Sequence, residues 1–124
     1  MQQAKYFKDQ ICDELRGATD YLKKAIDWHK SKPEWAKTFY EMAEAEEKHA
    51  TTLYKMFIQM YSESKGEDSY MKQMRDMIMD CFSSEMRKIE DCKSTYMIMV
   101  GTKSEPTSQS SSISAIMPQK GSAI

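Results

Sequence analysis

The most constraining feature of the chain is a pair of mainly apolar stripes, whose residues return at alternating steps of three and four positions. In the first of two such stretches the stripe is Ile11, Glu14, Ala18, Tyr21, Ala25 and Trp28. In the second it is Trp35, Phe39, Met42, Glu46, His49, Leu53, Met56 and Met60. This spacing keeps one side of an α-helix turned towards a neighbour, as in antiparallel bundles and coiled coils. The chain is therefore predicted to be all-α.

Two short breaks divide the helical region into three long helices. Their predicted bounds are 5–30, 33–62 and 69–100. Ser31 and Glu34 have the spacing of a capping box, and Asp68 or Ser69 can cap the third helix. The third stripe is looser and comprises Met71, Met74, Ile78, Cys81 or Phe82, Ile89, Cys92 and Tyr96. Because both links are short, neighbouring helices are expected to pack antiparallel.

The last part of the chain has a different character. Residues 101–124 contain seven Ser together with Pro106 and Pro118, and they show no helical periodicity. We therefore expect a helical domain over residues 1–100 and a flexible Ser-rich tail over 101–124. Three helices with one-sided stripes leave part of the apolar surface open, which predicts that the bundle is completed by oligomerisation.

Composition excludes several classes of protein. A net charge of -1 provides no bulk attraction for nucleic acid. Mean hydropathy is -0.72 and charges occur throughout the helical stretches, which argues against a membrane span. Cys12, Cys81 and Cys92 are an odd number without a Cys-x-x-Cys pair. We therefore expect reduced thiols and a cytoplasmic location, with no nucleic-acid or membrane partner.

Polar side chains interrupt the stripes of the first two helices. Glu46 and His49 are three residues apart, so they project from one side of one helical turn. Counted from the loop near residue 32, Glu14 lies at nearly the same height, since an α-helix rises about 1.5 Å per residue. This convergence predicts either a metal site or a buried polar network that determines helix register. Glu85 is expected at the edge of the third stripe, reaching solvent.

The residues around these groups resemble the first helix pair of the rubrerythrins, over residues 8–56. The resemblance lies in the run from Glu14 to Tyr21, in Pro33-Glu-Trp-Ala36, and in Phe39-x-x-Met-Ala-Glu-Ala-Glu46-x-x-His49. In that family a Tyr follows the first-helix Glu by seven residues, as Tyr21 follows Glu14. The chain departs from the family in lacking a fourth helix, a second Glu-x-x-His and a rubredoxin-type Cys-x-x-Cys pair.

Half a site in a short chain is similar to the encapsulated ferritins, whose dinuclear centres form between two protomers. The resemblance implies that Glu14, Glu46 and His49 are iron ligands, with Mn or Zn as alternative metals, in a dimer or a ring of dimers. It implies ferroxidase or peroxidase activity, and a role for Tyr21 in donating a hydrogen bond to a carboxylate ligand. The tail at 101–124 would then dock on a protein shell. The alternative is a metal-free structural or assembly protein, such as a virion or shell component.

Overall fold

The computed structural model describes residues 2–64 and 68–101, and it consists of three α-helices. They are α1 (Gln2–Trp28), α2 (Pro33–Glu63) and α3 (Ser69–Met99). The predicted all-α fold is confirmed, and no strand occurs in the described part of the chain. Gly101 adopts a φ of 75°, the left-handed conformation with which many helices end. Residues 102–124 lie outside the described residues, so the predicted tail and its docking role stay predictions.

The two inter-helix breaks behave differently from each other. Asp68 caps α3 as predicted, because its Oδ1 accepts hydrogen bonds from the backbone N–H groups of Tyr70 (2.9 Å) and Met71 (3.2 Å). The predicted capping box at the start of α2 is wrong. Lys32 is the N-cap there and makes no side-chain capping bond, while Pro33 occupies the first turn. Proline is tolerated at that position because its missing N–H would have no partner within the helix.

The order of contacts along the helices determines their directions. Trp28 and Trp35 meet at the loop between α1 and α2, with ring centroids 5.3 Å apart, so these helices are antiparallel. α1 and α3 run parallel, because contacts between them advance together from Cys12–Cys81 to Thr19–Glu85. α2 faces α3 through long side chains. The ring centroids of Tyr54 and Phe82 are 5.3 Å apart, and those of Tyr40 and Tyr96 are 4.8 Å apart. The molecule is thus an up-down-up bundle.

The buried side of α2 is not the predicted one. Its buried residues are Ala36, Ala43, Glu47, Ala50, Tyr54, Phe57 and Tyr61, each of which lies one residue after a member of the predicted stripe. One residue is a rotation of about 100° around the helix. Trp35, Met42 and Met56 of that stripe are consequently exposed. Small alanines at the buried positions let the helices approach closely, whereas the prediction had followed the largest side chains.

Two further predictions are wrong for reasons of packing between helices. Cys12 and Cys81 form a disulfide with Cα atoms 5.7 Å apart, which leaves Cys92 as the free cysteine. The parallel packing of α1 on α3 brings these two residues together across 69 positions of sequence. Glu85 is buried rather than solvated, and its Oε1 accepts a hydrogen bond from the Thr19 hydroxyl at 3.2 Å.

Among the described residues, none of the three helices combines the length and the hydropathy that a membrane-spanning helix requires.

Candidate metal centre

Glu14, Glu46 and His49 converge in the groove between α1 and α2. One ligand atom from each lies within 4.8 Å of the other two. The Nδ1 atom of His49 is 3.6 Å from Oε1 of Glu14 and 3.7 Å from Oε1 of Glu46. Glu14 comes from α1, while Glu46 and His49 occupy consecutive turns of α2. The juxtaposition predicted by counting residues from the loop is therefore present.

Gly17 makes room for this cluster. A Cβ atom built on Gly17 would lie only 2.7 Å from Oε2 of Glu46, closer than real Cβ contacts allow. Glycine in the middle of a helix costs about 0.5–1 kcal/mol relative to alanine, so its presence needs a local reason. Here the reason is the Glu46 carboxylate, which lies against the backbone of α1. Sequence reasoning missed Gly17, although an isolated glycine three residues after Glu14 was a detectable signal.

The cluster lies at the edge of the bundle and not in its core. The side chains of Glu14 and Glu46 are 21% and 25% exposed, and that of His49 is 60% exposed. The expectation that these groups interrupt a buried seam is therefore wrong. The cause is the rotation of α2, which turns Glu47 inward and leaves Glu46 and His49 beside the groove. His49 is the most exposed of the three side chains.

The electrostatics of the groove favour a bound cation. Burial and the neighbouring Glu14 carboxylate raise the pKa of Glu46 to about 7 from an ordinary 4.5, and His49 opposes this rise. Two carboxylates in contact repel each other when both are ionised. A divalent cation between them would relieve that repulsion and replace the proton on Glu46.

The donor set fits a transition metal. Two carboxylates and one imidazole are suitable ligands for Fe(II), Mn(II) or Zn(II). Two donors that each lie about 2.1 Å from one ion can be at most about 4.2 Å apart. Both distances from His49 satisfy that limit. Three protein ligands leave further coordination positions for water or other donor groups, and a carboxylate can also bridge to a second ion.

Tyr21 lies two turns after Glu14 on α1. Its ring stacks on Phe39 with centroids 6.2 Å apart, and the Lys24 ammonium lies 5.9 Å from the ring centroid. These contacts place Tyr21 along the same groove between α1 and α2 as the cluster. Its proposed hydrogen bond to a carboxylate ligand stays a prediction.

The sequence also matches a known family. A family model described as Rubrerythrin matches residues 6–104, a range that includes Glu14, Glu46 and His49. No curated protein and no solved structure matches the chain.

Proposed function

The chain belongs to the rubrerythrin family, within the ferritin-like superfamily, and from this we propose that Glu14, Glu46 and His49 bind iron as half of a dinuclear centre. The observation that carries the proposal is the convergence of three ligand atoms from two helices within 4.8 Å. Gly17 supports it, since a glycine occupies the middle of α1 at the point where the Glu46 carboxylate lies against that helix.

Two copies of the chain supply a complete ligand set. Dinuclear sites in ferritin-like bundles use a Glu from each of two helices and a Glu-x-x-His from each of two others. Within residues 2–64 and 68–101, Glu14, Glu46 and His49 are the one group with this geometry. A two-fold axis beside the groove would double the set to four carboxylates and two imidazoles, which is the full complement.

The partly exposed apolar stripe of α2 supports such an axis because its residues are spaced symmetrically about the point midway between Glu46 and His49. Apolar residues lie four, seven and eleven positions before Glu46 and after His49, namely Met42 and Leu53, Phe39 and Met56, and Trp35 and Met60. A two-fold axis perpendicular to α2, passing between Glu46 and His49, would therefore pair apolar residues along two antiparallel helices. It would place Glu46 of one copy opposite the partner's His49 and cover the exposed Trp35, Met42 and Met56 side chains.

This arrangement assigns roles to the chain's own residues. Glu14 and Glu46 bind and neutralise the cations, His49 is a terminal ligand, and Gly17 keeps the Glu46 carboxylate in place. Paired iron supplies redox chemistry with oxygen or peroxide when it is bound, so the proposed activity is ferroxidase or peroxidase. The apolar stripe around the groove excludes water from both sides of the centre in the dimer.

The test is metal content and molar mass measured on the same sample after anaerobic addition of Fe(II). We expect about one iron per chain, since two ions are shared by two chains, in an even-numbered oligomer. Glu46→Gln should lose the iron. Glu44→Gln is the matched control, because Glu44 is also a partly buried carboxylate on α2 but lies outside the cluster, and it should retain the iron.

Three outcomes would each contradict a part of the proposal. Absence of bound iron in the unchanged protein would favour the metal-free assembly role instead. Stoichiometric iron in a monomer would show that a single chain completes the site, which would refute the shared centre. Retention of iron by Glu46→Gln would remove that residue from the ligand set.

A further inference from the structure

The Cys12–Cys81 disulfide lies in an open cleft between α1 and α3. Both cysteines line this cleft, and so do Lys8, Arg16 and Asp80. Cys12 and Glu14 are two residues apart on α1, about 200° around the helix, so the cleft lies on a different side of α1 from the metal cluster. The proposed function gives this cleft no role.

The two sulfur atoms differ in accessibility. Cys12 is only 3% exposed, whereas Cys81 is partly exposed. Thiol–disulfide exchange proceeds by attack of a thiolate on one sulfur, and access decides which sulfur is attacked. An incoming thiolate would therefore reach Cys81, and Cys12 would be the leaving thiol.

The walls of the cleft carry both signs of charge. Lys8 pairs with Asp9 at 2.5 Å, and Arg16 pairs with Asp13 at 3.6 Å. Asp80 adds a further carboxylate directly beside Cys81. A surface of alternating sign is complementary to a ligand that itself carries an ammonium and a carboxylate. Amino-acid and peptide thiols have that character.

We propose that Cys12–Cys81 is a thiol–disulfide exchange site for small zwitterionic thiols, with Cys81 forming the mixed disulfide. In the first step a thiolate bonds to Sγ of Cys81, the Cys12–Cys81 bond breaks, and Cys12 takes up a proton. In the second step another thiolate attacks the sulfur of the bound thiol, which releases a small disulfide and leaves Cys81 as a thiol. Two electrons pass from two small thiols to the protein.

Opening the bond does not require the helices to separate. The Thr19–Glu85 hydrogen bond still joins α1 to α3, and Ile11 and Ile78 remain in the buried apolar core. The exchange is thus a local event, and it should be faster than unfolding of the bundle.

The first experiment uses oxidised glutathione as the probe on two variants, both carrying Cys92→Ser to remove the remaining free thiol. One also carries Cys12→Ser and keeps Cys81, and the other carries Cys81→Ser and keeps Cys12. Peptide mapping by mass spectrometry should show glutathione on Cys81 at least about tenfold faster than on Cys12, since access controls the attack. Equal rates in folded variants, checked by circular dichroism, would overturn the assignment.

A second measurement keeps the disulfide and tests the rest of the proposal. In the Cys92→Ser protein, reduced glutathione should open the disulfide faster than the chain unfolds, and added salt should slow the reaction. Reduction only at the rate of global unfolding would overturn the site. If neutral 2-mercaptoethanol reacts equally fast at equal thiolate concentration, the preference for zwitterionic thiols is wrong. Neither readout involves iron, so failure of the metal proposal would leave this test intact.

Discussion

At the scale of single residues, Gly17 links the fold to the candidate centre. Because Gly17 has no side chain, the Glu46 carboxylate can occupy the space beside it. A Cβ atom at position 17 would lie too close to Oε2 of Glu46. The contact involves the flexible end of Glu46 and not the backbone of α2. A side chain at position 17 should therefore disturb the cluster without disrupting the packing of the helices.

Gly17→Ala separates these two effects. We expect the metal-free protein to be equally stable or more stable by up to about 1 kcal/mol, because alanine favours the helix over glycine. Iron affinity should fall, since the Glu46 carboxylate must move. Urea unfolding and an anaerobic Fe(II) titration measure the two quantities. An unchanged affinity would show that Glu46 is not a ligand in its present position.

The pKa of Glu46 predicts how metal binding depends on pH. With a pKa of about 7, this carboxyl is protonated in the metal-free protein at lower pH, so a proton must leave when the metal binds. Affinity should therefore fall as the pH drops below about 7. Calorimetric titration in two buffers of different ionisation enthalpy measures the released protons. Equal affinity and no proton release at about pH 6 and about pH 8 would contradict the role of Glu46.

The raised pKa of Glu46 also makes the stability of the metal-free protein depend on pH, but in the direction opposite to the metal affinity. The folded state holds a proton on Glu46 that the unfolded state releases near the ordinary pKa of 4.5. The free energy of unfolding contributed by this group is thus largest below pH 4.5 and is lost as the pH rises through about 7. Bound metal removes that penalty, so metal should stabilise the protein most at the higher pH.

At the scale of the helices, two adjacent glutamates of α2 lie in different environments. Glu46 faces the open groove, whereas Glu47 is buried and forms a 2.6 Å ion pair with Lys93 of α3, which is also buried. Burial raises the pKa of Glu47, and Lys93 opposes that rise. The pair joins α2 to α3 and so contributes to the relative position of these two helices.

Removing one member of this pair should be costly. Glu47→Ala leaves the Lys93 ammonium buried without its partner, which is expected to destabilise the protein by about 3–5 kcal/mol. The double variant Glu47→Met with Lys93→Met removes both charges and should recover most of that loss. Urea unfolding of the metal-free proteins measures both. If the double variant is as unstable as Glu47→Ala, lost packing and not an uncompensated charge is the cause.

At the scale of the whole molecule, the surface of α2 that carries the apolar stripe leaves the large side chains of Trp35, Met42 and Met56 exposed. Met42 on this surface and Met77 on α3 are matched, because both are methionines and both are 39% exposed. They differ in position, since Met42 belongs to the proposed two-fold interface and Met77 does not.

Met42→Glu should therefore weaken the dimer, and Met77→Glu should leave it intact. The charge introduced at position 42 would be placed in the apolar interface of both copies, whereas the charge at position 77 would remain in water. Light scattering across a concentration series measures the monomer–dimer equilibrium, and circular dichroism checks the fold. Equal effects of the two substitutions would show that the stripe of α2 is not the interface.

The sequence by itself determined the helices, their order and the convergence of Glu14, Glu46 and His49. These depend on local rules: helical periodicity, a short loop, and a constant rise per residue, which together set the register of an antiparallel hairpin. The resemblance to rubrerythrins rested on the same stretch, and the family match over residues 6–104 confirmed it.

Only the tertiary structure decided which side of α2 is buried, whereas the predicted stripes of α1 and α3 lie largely on their buried sides. The choice between Met42 and Ala43 as core residues depends on how closely two backbones approach, and side-chain size along one helix does not report that distance. The Cys12–Cys81 bond and the Glu47–Lys93 pair likewise join residues on different helices, at separations that no local pattern encodes. The side of α2 that is buried differs from the predicted side by one residue, and this difference accounts for the position of the candidate centre at the edge of the bundle instead of in its core.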